Sequence, residues 1–173
     1  MQAQQNSIRR DPGERVLVLC WGNPGRLDDG LGPCLADRLT SLGLEGVTVE
    51  SSYQLQIEHA DRIAQCDLVV FVDAAATGPS PFLARPLGPM GQPAFSTHAL
   101  EPGTVLALAR ELYGANPRAI LVGVRGYDFD GFGERLSPRA EQNLEAARAW
   151  LAAALEPPIQ PPQQAGSRPA RRH

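Results

Sequence analysis

Three separate segments of this 173-residue chain carry side chains able to do metal chemistry. The first is Gly22-Asn23-Pro24-Gly25 followed by Asp28-Asp29-Gly30. The second is Asp73, which closes the run Asp67 to Asp73 (DLVVFVD), and the third is His98 in Ser96-Thr97-His98. Either Asp28 or Asp29 can cap a following helix, but capping needs only one carboxylate and leaves the other free to point into a crevice. A carboxylate ending an apolar run is costly unless something pairs with it. Asp73 therefore has either a loop hydrogen bond or a ligand. His98 alone would be an ordinary loop histidine. Together, two hard oxygen donors and one imidazole suit a borderline divalent metal ion with positions left open for an incoming ligand.

Other chemistries fit less well. The glycine-rich turn lacks the Gly-Lys-Ser/Thr ending of a P-loop and the Gly-x-Gly-x-x-Gly of a dinucleotide site, and two adjacent carboxylates would repel a phosphate. The sixteen Lys-plus-Arg residues are all arginine, so Schiff-base and lysine-dyad chemistry are excluded. There is no Gly-x-Ser-x-Gly elbow and no His-Glu-x-x-His, and Ser96 and Ser137 lack a nucleophile's setting. Cys20, Cys34 and Cys66 form no Cys-x-x-Cys pair; Cys20 and Cys34 read as small buried hydrophobes. His59 reads as structural, paired with Glu58 or Asp61, and His173 belongs to a tail. No residue is assigned to an organic cofactor.

The elements that must position the three segments follow from periodicity. Arg15 to Cys20 is an apolar strand ending in turn residues, and Leu31, Cys34, Leu35, Leu39 and Leu42 recur at helical spacing. Val47 to Val49 reads as a second strand and Gln54 to Ala64 as a short helix. Four consecutive apolar residues in DLVVFVD suit a strand covered on both faces, as in a parallel sheet. Phe82 to Leu87 reads as an edge strand. Pro102 opens a helix with the stripe Val105, Leu108, Ala109 and Leu112, and Ala119 to Val124 is another buried strand. Ser137-Pro138 caps a last helix that turns Leu144, Ala147, Leu151 and Leu155 inward. Alternating strands and helices predict an α/β sandwich with a mostly parallel sheet, whose loops after the strand C-termini line the ligand crevice.

The chain divides into a flexible leader (1–13), one α/β domain (14–155) and a disordered Pro/Gln/Arg tail (156–173). A 43% hydrophobic fraction suits a chain that buries a core, and the net charge of −3 gives no reason to bind nucleic acid or an anionic membrane. Arg9-Arg10 is followed by no apolar segment and no cleavage site, so the expected location is the cytoplasm.

Four blocks, in this order, resemble those of [NiFe]-hydrogenase maturation proteases: VLVLCWGNPGRLDDGLGPCLADRL, DLVVFVDAA, FSTHALEPGTVLALARELYG and ILVGVRGYDFDGFGERLSPRAEQNLEAA. The resemblance spans roughly Val16 to Leu151 and implies a three-layer αβα sandwich of the phosphorylase/hydrolase-like kind. It places the family's metal-binding acid, strand-end aspartate and histidine on Asp29, Asp73 and His98, as both metal ligands and catalytic residues. Some members carry glutamate at the first position, and Asp29 is one methylene shorter. The segment Tyr53 to Gln56 lacks the Gly-Gly of the uptake-hydrogenase members and looks more like the branch serving cytoplasmic, NAD-linked hydrogenases.

The implied activity is removal of a C-terminal peptide from the hydrogenase large-subunit precursor after nickel insertion, by a monomer that grips nickel carried by its substrate. Gly22, Asn23 and Gly25 would shape the first loop. Gly123, Arg125, Gly126 and the loop through Gly133 are candidates to line the peptide groove. Two other readings stay open. A nickel chaperone or assembly scaffold would use the same three ligands without cutting. A peptidyl-tRNA hydrolase shares only the Gly-Asn-Pro-Gly turn and needs a basic face, against a pI of about 5.6 here.

Overall fold

The structure, a computed structural model, describes residues 9–89 and 100–156. Its elements run β1 (Val16–Trp21), a 3-10 turn (Leu27–Gly30), α1 (Leu31–Thr40), β2 (Val47–Ser52), α2 (His59–Ala64), β3 (Leu68–Ala75), β4 (Phe82–Pro86), α3 (Pro102–Tyr113), β5 (Arg118–Arg125) and α4 (Pro138–Leu155). The strands form one five-stranded sheet in the order β2-β1-β3-β5-β4. Four are parallel, and β4 pairs antiparallel with β5 at the edge.

Alternation along each strand divides the core in two. Val16, Val18 and Cys20 of β1, Leu68, Val70 and Val72 of β3 and Ile120, Val122 and Val124 of β5 face α1 and α4. The intervening Leu17 and Leu19, Val69 and Phe71, and Ala119 face α2 and α3. β3 is buried from Leu68 through Val72 because helices cover both its faces. The fold is thus the expected α/β sandwich, with helices in pairs on either side of the sheet.

The order in which the chain visits the sheet decides where a site can form. From β1 it moves outward to β2, then returns past β1 to β3. Connections of one hand therefore place α1 and α2 on opposite faces, and the loops after β1 and β3 diverge. A crevice opens between them at the C-terminal ends of the strands, where open α/β sheets bind ligands.

Several local expectations shift. α1 stops at Thr40, leaving Leu42 42% exposed beyond it. Of the predicted helix from Gln54 to Ala64 only His59–Ala64 is helical; Leu55 is buried and Ile57 exposed in the preceding turns. In α3 the buried stripe contains Leu106 and Leu112 is exposed, because the helix lies against α2 and β3 with a slightly rotated face. Arg10, counted in the 1–13 leader by sequence, is buried: its amide donates to Ala154 O and its guanidinium to the carbonyls of Glu14 and Glu45. The packed chain thus begins before residue 14. Residues 1–8 of that leader and 157–173 of the tail lie outside the described residues. Among the described residues, no helix is long and apolar enough to cross a membrane.

Candidate functional site

The loop after β1 is held by contacts that only glycine permits at two points. Gly22 has φ +141, and a Cβ there would sit 2.0 Å from the carbonyl oxygen of Asp29. Gly32, in the first turn of α1, would bring a Cβ to 2.1 Å from the carbonyl oxygen of Trp21. The glycine pattern thus lets the loop fold back on itself and lets α1 start directly against the end of β1. Asn23 accepts from the Gly25 amide at 2.9 Å, closing the Asn-Pro-Gly turn.

Adjacent Asp28 and Asp29 have different fates, and neither side chain caps α1, whose N-terminus has no side-chain cap. Asp28 is fully buried. It accepts hydrogen bonds from the amides of Tyr127 (2.7 Å), Asp128 (2.9 Å) and Ser137 (2.7 Å) and from the Ser137 hydroxyl (2.7 Å). Burial pushes its carboxyl up, but the bonds from Ser137, Tyr127 and Asp128 outweigh this and hold it below the ordinary range. Backbone bonds complete the seam between the loops: Leu27 N to Gly133 O, Asp28 N to Asp128 O and Gly133 N to Gly25 O. Asp29 is only half-buried. Its carboxylate accepts one bond, from the Asn23 amide at 2.9 Å, and faces the crevice.

Asp73 lies across that crevice, on the β3 face shared with Phe71 and opposite Gly123 in the β3–β5 register. Its carboxylate accepts from the Ala74 amide at 2.8 Å, and the side chain of Trp21 beside it favours the ionised form. Trp21 is fixed edge-on to Phe71, with ring centroids 6.3 Å apart. Burial is the main reason that the Asp73 carboxyl is pushed from the ordinary 3.8 up to about 6, and the negative charges of Asp29 and Glu101 push it in the same direction. A carboxylate from the β1 loop and one from β3 therefore share one half-buried space, and among the described residues no cation forms an ion pair with either. Such a donor set suits a metal ion, which would reverse the penalty. Among the described residues, no three His, Cys, Asp or Glu side chains gather as a metal site. The third predicted donor, His98, lies outside the described residues, as does Ser96.

A search of solved structures finds chains of similar fold. A [NiFe] hydrogenase maturation protease from Thermococcus kodakarensis (HycI) shares 29% sequence identity, with a TM-score of 0.65 over 83% of this chain and 94% of that one. In fold and over most of its length the chain is similar to hydrogenase maturation proteases. The hydrogenase maturating endopeptidase HybD of E. coli shares 24% identity (TM-score 0.64, covering 82% of this chain and 91% of that one), and HybD of T. kodakarensis 19% (0.62, 82% and 99%). At those identities the likeness is one of fold. No protein-family sequence model and no curated protein matches the chain.

The other side chains weighed as candidates for chemistry are engaged elsewhere among the described residues. Burial pushes the Cys20 thiol above its usual range and that of Cys66 up to about 11, so neither is a ready thiolate. The Ser137 hydroxyl donates to Asp28 and accepts from the Ala140 amide at 3.4 Å, which makes it a cap and a loop fastener. His59 accepts from the Gln56 amide at 2.9 Å instead of pairing with Glu58 or Asp61. A cavity of about 380 Å³ lies beside Arg15, Val16, Gly46, Thr48 and Cys66, at the opposite ends of the strands, and has no part in this site.

Sequence reasoning passed over two residues here. Trp21 received no role, although an indole N–H at a strand end beside a crevice is a hydrogen-bond donor in need of a partner. Glu101, beside Pro102 at the start of α3, likewise received no role, although its charge bears on Asp73.

Proposed function

We propose that this protein is an endopeptidase that removes the C-terminal peptide of a [NiFe]-hydrogenase large-subunit precursor once nickel has been inserted. The observation that carries this reading is the convergence of Asp29 and Asp73 at the β1/β3 switch point of a hydrogenase maturation protease fold. Asp29, Asp73 and His98 are proposed to be the residues that grip the nickel of the loaded precursor and so test for its presence. The nickel ion is part of the substrate. It supplies Lewis acidity toward a water molecule and the scissile carbonyl. The protein's own residues do the rest: Asp73 is held ready by Trp21 and Ala74, Asn23 fixes Asp29, and the seam around Asp28 fastens the β1 loop to the β5–α4 loop. Unloaded precursor would lack the cation that draws the two carboxylates together, so it would neither dock correctly nor be cut.

The experiment is cleavage of a co-expressed large-subunit precursor followed by intact mass, with and without nickel. A mass loss equal to a C-terminal peptide, seen only with nickel, is the expected result. Cleavage retained by Asp73→Ala would rule out the proposed role of the trio, and tight nickel binding by the free protein without any cleavage would favour a chaperone.

A further inference from the structure

Two sets of arginines in the described chain have contrasting partners. Arg15, Arg38, Arg62, Arg118 and Arg148 each meet a carboxylate of Asp or Glu. Arg125 and Arg139 meet an aromatic ring: their guanidinium carbons lie 4.9 and 4.0 Å from the centroid of Tyr127. Among the described residues, neither takes part in an ion pair. Arg125 uses one donor on Ala75 O at 3.3 Å, and Arg139 is exposed in the first turn of α4. Stacking occupies the faces of a guanidinium and leaves its edge N–H groups free for the forked geometry that a carboxylate matches.

The ring that carries both cations is itself anchored. Asn143, 6% exposed, donates to the backbone carbonyl of Arg125 at 2.8 Å and to the Tyr127 hydroxyl at 3.1 Å, and accepts from Ser80 Oγ at 3.0 Å. Two like charges held against one ring by a buried amide repel each other until an anion arrives, and the positive end of α4 beside Arg139 adds to the same potential. The position along the sheet is also specific. Arg125 pairs with Ala75 in the register in which Gly123 pairs with Asp73, so it lies two residues, about 7 Å, further along the strands.

We infer that Arg125 and Arg139, carried on Tyr127, form a carboxylate-binding site that anchors the C-terminal segment of the protein substrate beside the Asp29–Asp73 crevice. The inference rests on the endopeptidase reading for the identity of that substrate. The carboxylate belongs either to an acidic side chain beyond the scissile bond or to the chain terminus of the precursor. A nucleic-acid backbone is disfavoured, because the chain carries a net charge of −3 and two guanidinium groups on one ring do not make the extended basic face that a polyanion needs.

The test is steady-state cleavage of the nickel-loaded large-subunit precursor of the same organism by wild type, Arg139→Gln and Arg125→Gln/Arg139→Gln. The double variant is expected to raise KM about tenfold or more with kcat little changed, as suits a lost charge-assisted contact remote from the reacting bond. Precursor with its acidic residues beyond the scissile bond converted to amides, or with an amidated terminus, identifies the carboxylate. The relevant substitution reproduces the KM rise with wild-type enzyme and adds nothing with the double variant. An unchanged KM for a double variant with wild-type circular dichroism overturns the inference, as does indifference to both precursor changes. If wild type cuts no precursor, the endopeptidase reading itself fails. Calorimetry with the synthetic C-terminal segment then decides: affinity about tenfold weaker in the double variant retains the anchor, and equal affinity overturns it.

Discussion

The amide and the hydroxyl of Ser137 each donate a 2.7 Å hydrogen bond to the carboxylate of Asp28, across 109 residues of chain. Together with the amides of Tyr127 and Asp128 they turn one buried side chain into the fastening of the whole β5–α4 loop. The neighbouring Asp29 has a single amide partner and an open face.

Substituting the two aspartates should therefore separate stability from activity. Asp28→Ala leaves several buried donors unpaired and should cost at least about 3 kcal/mol in urea denaturation. Asp29→Ala should cost under about 1 kcal/mol yet abolish precursor cleavage. Asp28 has its carboxyl held below the ordinary value, so its contribution is present above that value and is lost as pH falls through the folded one. The Asp28→Ala penalty should shrink in acid accordingly.

Asp73 behaves in the opposite sense. Its carboxyl is raised from 3.8 to about 6 in the folded protein, so its contribution to stability is complete below about pH 4 and is lost as pH rises through 6. Asp73→Asn removes that loss. In metal-free protein the variant should be more stable than wild type above pH 7, by on the order of 2–3 kcal/mol, with the gap closing near pH 4. It should cleave nothing. Urea midpoints at pH 4, 6 and 8 measure the first expectation, and equal pH profiles for the two proteins would refute it.

Trp21→Phe keeps the edge-on ring against Phe71 and deletes only the indole donor. Because that donor favours ionised Asp73, the variant should titrate Asp73 at a still higher pH, read by carboxyl carbon NMR, with little change in the denaturation midpoint. An unmoved titration would mean that the indole has no hold on the carboxylate.

Gly32→Ala places a methyl group 2.1 Å from the carbonyl oxygen of Trp21, and both atoms belong to the framework. α1 must move away from β1, at an expected cost of about 2 kcal/mol or more by thermal or urea denaturation. Gly43, whose added Cβ would meet nothing within 4 Å but whose φ is +59, should show only the smaller penalty of a left-handed alanine.

What the sequence made legible was set by how local the signal is. DLVVFVD announced a two-sided strand because five consecutive residues are buried under helices on both faces, and Ser137-Pro138 announced a helix start because capping is decided within four residues. Asp28 and Asp29 were indistinguishable because the choice between them is made by amides about 100 residues later. Leu106 and Leu112 could not be ranked for the same kind of reason: the rotation of α3 depends on which neighbours it meets. The resemblance to a family supplied what chemistry alone left open, namely which of two adjacent carboxylates to expect in the crevice.

The hydrogen bond from Arg10 N to Ala154 O, 3.0 Å long, has a consequence for topology. It brings the two ends of the packed chain side by side at the foot of the sheet, away from the strand ends where Asp29 and Asp73 meet. The polypeptide is thus close to a closed ring. A short linker joining the region before Arg10 to the region after Leu155 would make a circular permutant without crossing the crevice, and new ends opened in an exposed turn such as Leu42–Glu45 would leave both core layers whole.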